Sequence, residues 1–282
     1  AEAPRGVRGV PTPARPVVVF PDAPGPGADP SPGGRARPSD GYGRSYALPW
    51  KVSGITVRIH WSLPALWLFL SLLGLVGGGA MGFALALVLF GPGLFGTVLV
   101  HELGHSFMAR SRGREVHEIL LWPLGGLAFI GSAPGHKDDI AIAAAGPATH
   151  VPMTIFWVLI ALAASEGTMA SSMNFGFVLG MQMVFLNVAL LVFNLFTPCF
   201  PLDGGRILAS SLMLGGYDML ATATIMERIS AFIIVGLVVY GVVAIALNGL
   251  GGAYAVTTLL VAFWLGAQVH QMHRLKASGM LH

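Results

Sequence analysis

Charged side chains disappear from this chain over long intervals, and the intervals have membrane-crossing length. Trp61 to Val100 holds none, and neither do Ile140 to Ser165, Gly167 to Leu202 or Ile229 to Val269. About 20 apolar residues cross a hydrocarbon core. The first interval therefore holds two spans, divided at Gly77-Gly78-Gly79-Ala80, and the last holds two more, divided at Asn248-Gly249-Leu250-Gly251-Gly252. This pattern predicts an all-α membrane protein with six transmembrane helices. One segment departs from it. Between Arg114 and Lys137, Ile119 through Ile130 reads as two short apolar strands about Gly125-Gly126, a membrane-associated β-hairpin. Such a hairpin could offer an edge to an extended peptide, or pack as a re-entrant plug.

Composition agrees with the pattern. The chain is 54% hydrophobic and 10% charged, with a mean hydropathy of +0.72; a soluble domain would carry about a quarter charged residues. Six alternating spans put residues 1–60, 109–139, 200–228 and 270–282 on one side of a bilayer. All sixteen Lys and Arg fall there, as eight, four, two and two. The positive-inside rule makes that side the cytosol, or its stromal or matrix equivalent, and both termini face it. The net charge of +3 is not gathered on a soluble domain, so no nucleic-acid partner is expected. A single cysteine, Cys199, excludes an intrachain disulfide and a thiolate-rich metal cage. Residues 1–46 are Pro-, Arg- and Gly-rich and are expected to be disordered. They fit an organellar transit peptide as well as a cytosolic tail, and a start at Ala1 without methionine fits a processed or incomplete chain. Residues 47–275 form the expected six-helix domain, and 276–282 a short tail.

The chemistry lies at the end of the second span. His101-Glu102-Leu103-Gly104-His105 puts two imidazoles one helical turn apart on one face, able to share a zinc ion. Glu102 can then take a proton from a water at that metal. It is the only acid between Asp40 and Glu115, and it lies eight residues inside the basic end at Arg110, about 12 Å along a helix. An uncompensated charge at that depth is costly. Two histidines do not complete a catalytic zinc site, which takes three protein ligands. The candidate third is Asp203, which the fourth span returns to the same side as the histidines. Two neutral imidazoles, one carboxylate, Zn²⁺ and a hydroxide sum to zero charge, which suits a low-dielectric site. On its own, Asp203 would read as a turn residue or the N-cap of a helix Ile207–Leu214, and it is the membrane layout that favours the ligand. Asp138-Asp139 reads as a cap of the third span. Gly91-Pro92-Gly93 is expected to kink the second.

In these motifs the chain resembles the site-2 proteases, a family of intramembrane zinc metalloproteases. The shared residues are His101-Glu102-Leu103-Gly104-His105, Ala145-Gly146-Pro147, and Asn194 through Asp203-Gly204-Gly205-Arg206. Gly125-Gly126 and Arg58-Ile59-His60-Trp61 add to them. The resemblance covers about residues 50–275. It implies a three-helix catalytic core, one zinc per chain held by His101, His105 and Asp203, and Glu102 as general base. It also implies regulated cleavage of transmembrane protein substrates within the lipid bilayer. Two departures are visible. One extra residue precedes Pro198, which a local bulge could absorb. His150 stands where the family commonly has an asparagine that helps bind the substrate carbonyl. His150 and Asn194 are accordingly candidate substrate-binding or oxyanion residues, and the other reading of His150 is a satisfied interior histidine. The competing class is a catalytically silent relative that binds membrane helices as an adaptor or chaperone. No insertion of PDZ size lies between spans, so substrate choice would rest on the hairpin, a lateral gate or a separate adaptor protein.

Overall fold

The computed structural model describes residues 43–123, 125–131, 135–165, 174–248 and 253–278. Most of the expected disordered segment, residues 1–42, lies outside them. Its last residues do not fit the expectation, because strand β1 (Ser45–Val52) starts inside the segment. β1 turns at Ser53–Gly54, with φ of 49° and 78°, into strand β2 (Ile55–His60). Positive φ at both turn residues matches the right-handed twist of a tight hairpin. β2 then pairs in parallel with β3 (Val116–Trp122), and β3 pairs antiparallel with β4 (Gly125–Ile130). The sheet has four strands in the order β1-β2-β3-β4.

The expectation of an all-α chain with a single hairpin is thus too simple. The hairpin is half of a sheet whose other half comes from residues 45–60. β1 carries Pro49 and an unalternating Trp50-Lys51, and the β2–β3 pairing spans an intervening helical unit. Gly125 and Gly126 do not form the turn either; they open β4, opposite Trp122 and Leu121. One face of the sheet is a small core. Ile55, Val57, Ile119 and Leu121 point to the same side, as i, i+2 residues do. They pack with Leu63 and with Phe95, Val98, Leu99 and Leu103.

The parallel β2–β3 connection is a folded pair of helices. Helix α1 (Ser62–Val88) contains two residues with non-helical angles, Gly78 and Gly79, the latter at φ 60°. Trp67 Nε1 donates to the Leu87 carbonyl at 2.8 Å. In an unbroken helix those residues would lie about 30 Å apart. The chain therefore reverses at the glycines, and α1 is two antiparallel arms. Gly74 and Gly82 let the arms touch: a Cβ on Gly74 would fall 2.5 Å from the Gly82 carbonyl oxygen. After one wide π-helical turn, Leu89–Gly93, which contains Pro92, the chain continues as α2 (Leu94–Ser111).

The rest is helical: α3 (His136–Ala148), α4 (His150–Ser165), α5 (Phe175–Phe196), α6 (Asp203–Leu214), α7 (Met219–Asn248) and α8 (Ala253–Ala277). The expected third span is present as α3 and α4 together, His136–Ser165, with Thr149 at their junction keeping helical angles. Among the described residues, four continuous helical stretches are long and apolar enough to cross a membrane: Ser62–Ser111, His136–Ser165, Phe175–Phe196 and Met219–Leu247. The first contains the reversal at Gly78–Gly79. Large apolar side chains such as Phe185, Phe232 and Phe263 face outward, as they do on a protein solvated by lipid.

The α1 reversal can be tested. Gly82→Leu should separate the two arms and lower the thermal unfolding midpoint of detergent-solubilised protein, with an overpacking cost of about 1–3 kcal/mol. Gly77→Ala, where an added Cβ meets nothing within 4 Å, should leave the midpoint unchanged.

Candidate active site

Helix α2 presents His101 and His105 on one face, and α6 brings Asp203 to them. His101 Nε2 lies 3.2 Å from Asp203 Oδ2, and His105 Nε2 lies 3.3 Å from Asp203 Oδ1. The two Nε2 atoms are 3.0 Å apart. All three residues are buried, and their ligand atoms lie within 4.8 Å of one another. Asp203 is not an N-cap. It is the first residue of α6, whose cap position Leu202 makes no side-chain capping bond. Two glycines seat that helix end against the preceding loop. A Cβ on Gly204 would fall 2.5 Å from the Leu195 carbonyl oxygen, and one on Gly205 equally close to that of Cys199. The loop is closed by Cys199 N–H to Thr197 O (2.8 Å) and Leu202 N–H to Cys199 O (2.9 Å), with a cis Phe200–Pro201 bond. The extra residue before Pro198 therefore does not carry Asp203 away from the histidines.

The donor set fits a metal. His105 Nδ1 lies 2.7 Å from the Ile142 carbonyl oxygen. A carbonyl can only accept, so Nδ1 carries a proton, and in the neutral ring Nε2 then presents a lone pair toward Asp203. An imidazole lone pair beside a carboxylate needs positive charge between them. Two imidazoles and a carboxylate are a combination that zinc accepts. Helix α3 packs directly on the imidazole pair. A Cβ on Gly146 would lie 2.8 Å from His101 Nε2 and closer still to His105 Nε2. Only a glycine there lets α3 lie against both rings without displacing them. Gly104 lets α2 and α3 approach that closely, since its Cβ would fall 2.6 Å from the Ala145 carbonyl oxygen.

The N-terminus of α3 fixes this approach. Asp138 accepts from Arg112 at the end of α2 (2.8 Å). Asp139 accepts from Arg206 (2.8 Å) and Ser210 (2.7 Å) of α6. The neighbouring aspartates, expected only as caps, therefore tie α3 to both helices that carry the cluster. The sheet supplies a different contact. Glu102 is buried, and a Cβ on Gly126 would lie 2.8 Å from its Oε1. β4 crosses the glutamate through a gap that glycine leaves.

The remaining candidates fall elsewhere. His150 is 1% exposed; its Nε2 lies 3.1 Å from His101 Nδ1 and its Nδ1 lies 3.1 Å from Asn187 Oδ1. Both ring nitrogens are engaged, so neither is left to donate to a substrate carbonyl. Asn194 donates to the Leu190 carbonyl one turn back (3.1 Å) and has no hydrogen bond to the cluster among the described residues. Asn187, fully buried on α5, was not singled out by the sequence; its signal is an amide in the middle of an apolar span. Cys199 is buried, and burial raises its thiol pKa, which makes it a poor nucleophile.

Two glycine substitutions separate the metal cradle from the glutamate. Gly146→Ala should weaken zinc retention by about a hundredfold or more, a loss at least as large as outer-shell changes produce. Gly126→Ala should leave retention intact and displace Glu102. Zinc content after dialysis against a graded chelator series reads both.

Residues 89–179 match the Peptidase family M50. Among curated proteins, the chain is 31% identical over 212 residues to Rip3 of Mycobacterium tuberculosis, whose name assigns it provisionally to the zinc metalloproteases. That match covers 72% of this chain and 52% of Rip3. It is 32% identical over 163 residues to zinc metalloprotease MJ0392 of Methanocaldococcus jannaschii, covering 58% of this chain and 44% of that protein. The chain thus spans about half the length of the curated relatives it matches. A solved structure, the site-2 protease from Methanocaldococcus jannaschii, superposes with a TM-score of 0.55 at 25% identity, covering 81% of this chain and 95% of that one. In motif order, in fold and in the residues gathered around His101, the chain is similar to peptidase family M50, the site-2 proteases.

Proposed function

We propose that the chain is an intramembrane zinc metalloprotease that hydrolyses peptide bonds of transmembrane substrates. The observation that carries this reading is the buried meeting of His101, His105 and Asp203, with Glu102 beside it on a helix that continues an apolar membrane stretch. One zinc per chain would be held by His101 Nε2, His105 Nε2 and an Asp203 carboxylate oxygen. When bound, zinc supplies Lewis acidity, which makes a water acidic near neutral pH and polarises a carbonyl.

The chain's own residues do the rest. Glu102 accepts the proton of the attacking water on its carboxylate and passes it to the departing amine. Asp203 and the two imidazoles stay neutral or singly charged throughout, which suits their burial. A substrate helix hides its backbone in intrahelical hydrogen bonds, so it must unwind before cleavage. β4 ends the sheet order, and an unwound segment adding along its outer edge would run past Gly126 and Glu102.

We read the membrane unit as six spans, with Ser62–Ser111 counted as two and Ala253–Ala277 as the sixth. The reversal at Gly78–Gly79 supports that count, and so does the confinement of all sixteen Lys and Arg to one set of loops. Both flanks of the unit then lie on the cytosolic, stromal or matrix side, with the zinc-binding end of α2. Substrates come from the membrane, either directly or through a separate adaptor protein.

Glu102→Gln decides the role of the base. It should retain zinc while cleavage of a transmembrane reporter falls by about 10²–10⁴-fold, the usual worth of a positioned general base. Undiminished cleavage would falsify that role, whereas stoichiometric zinc with no cleavage even by the unaltered chain would favour an adaptor.

A further inference from the structure

His105 has a backbone carbonyl to hold its Nδ1 proton, and among the described residues His101 has none. Its Nδ1 meets His150 instead, 3.1 Å away. We propose that Asn187 and His150 are positioning residues that hold His101 in the Nδ1–H tautomer and so turn its Nε2 lone pair on the metal. The proposal rests on the zinc reading above and assigns this chain's His150 to the metal rather than to the substrate.

The direction of the relay follows from donor and acceptor chemistry, beginning at the α5 backbone. Asn187 Nδ2 donates to the Met183 carbonyl (2.9 Å). That carbonyl can only accept, so the amide nitrogen is fixed there and the oxygen is the atom that faces His150. Asn187 Oδ1, also an acceptor, lies 3.1 Å from His150 Nδ1. His150 therefore carries its proton on Nδ1. In the neutral ring its Nε2 is then a lone pair, and the only partner that satisfies it is a proton on His101 Nδ1. In the neutral His101 ring, Nε2 is then the unprotonated nitrogen, 3.2 Å from Asp203. Met183 and Asn187 are fully buried and His150 nearly so, so water has little access to compete. A histidine ligand usually donates its second nitrogen to a carboxylate, a carbonyl or water. Here the acceptor is another imidazole, itself oriented by an amide from a third helix.

The test uses the full chain in detergent micelles, with zinc as the probe. Retention against a graded chelator series is measured for the unaltered chain, His101→Ala, Asn187→Leu, His150→Leu, His150→Gln and the Asn187→Leu/His150→Leu double variant. Asn187→Leu and His150→Leu should each weaken retention by about 10–100-fold. The double variant should be no weaker than the worse single variant, because both changes cut one chain of bonds. His150→Gln should recover most of the loss, since its amide can accept from His101 and donate to Asn187. Leucine and asparagine are similar in size, so a residue that only fills space at position 187 would not show this split. In unaltered protein labelled with ¹⁵N-histidine, NMR should find His101 protonated at Nδ1 and zinc-bound at Nε2, a readout that does not depend on any variant folding. Unchanged retention in both leucine variants, or His101 bound through Nδ1, would overturn the relay while leaving the zinc site standing. If the unaltered chain holds no more zinc than His101→Ala, the zinc reading fails and the relay with it.

Discussion

A carboxylate buried against two imidazoles is stable only with positive charge among them, a bound cation or a proton, and the proposed zinc site is built on that requirement. Asp203 and His105 face each other at 3.3 Å, with a proton of His105 committed to the Ile142 carbonyl on the far side of the ring. Leaving a buried charge unpaired costs several kcal/mol, so the backbone must bring the three side chains together. Gly146 lets α3 lie against both imidazoles. Gly204 and Gly205 bring the start of α6 against its loop, and so bring Asp203 to α2.

Helix α3 connects these demands. It carries Gly146 over the two imidazoles, and its Ile142 carbonyl fixes the tautomer of His105. At its N-terminus, Asp138 and Asp139 are bonded to Arg112 and Arg206 on the two ligand-bearing helices. These pairs are partly exposed, and such ion pairs contribute little to stability on their own. Their value here is positional. They hold α3 at one depth relative to both α2 and α6, and a shift of α3 would misplace the acceptor of His105 and the cradle together.

How much of this was legible in the sequence depends on whether the information was local. The imidazole pair and Glu102 could be read from spacing on one helix. Asp203 could be reached by counting spans, because alternation returns the fourth to the level of the second. Residues 45 and 46 were read as the end of a disordered flank, and the strands over residues 45–60 were not foreseen. Those strands are recognisable only through pairing, and β2 finds β3 beyond two intervening helices. His150 could be seen to be unusual, yet its partners depend on which helices touch, and Asn187 lies on another span altogether. Glycine roles are harder still. Gly126 and Gly146 matter for what their missing side chains would strike, and nothing in the spacing of residues reveals that.

The two halves of the proposed chemistry are carried by different layers that meet on α2. Successive residues of a helix point about 100° apart, so Glu102 cannot face the same neighbour as His101. His101 and His105, one turn apart, share the side covered by α3 and α6. Glu102 is turned toward the sheet, where β4 passes at Gly126. A single helix thus presents the metal ligands to a helical layer and the base to a β layer. β4 is the last strand of the sheet, and α3 is held by Gly146 and the aspartate ties. On the proposed reading, an extended peptide pairing with β4 would reach the site beside the glutamate without displacing α3 or α6. Substrate pairing would then depend on β4, and metal retention on α3, α6 and the bonds behind His101.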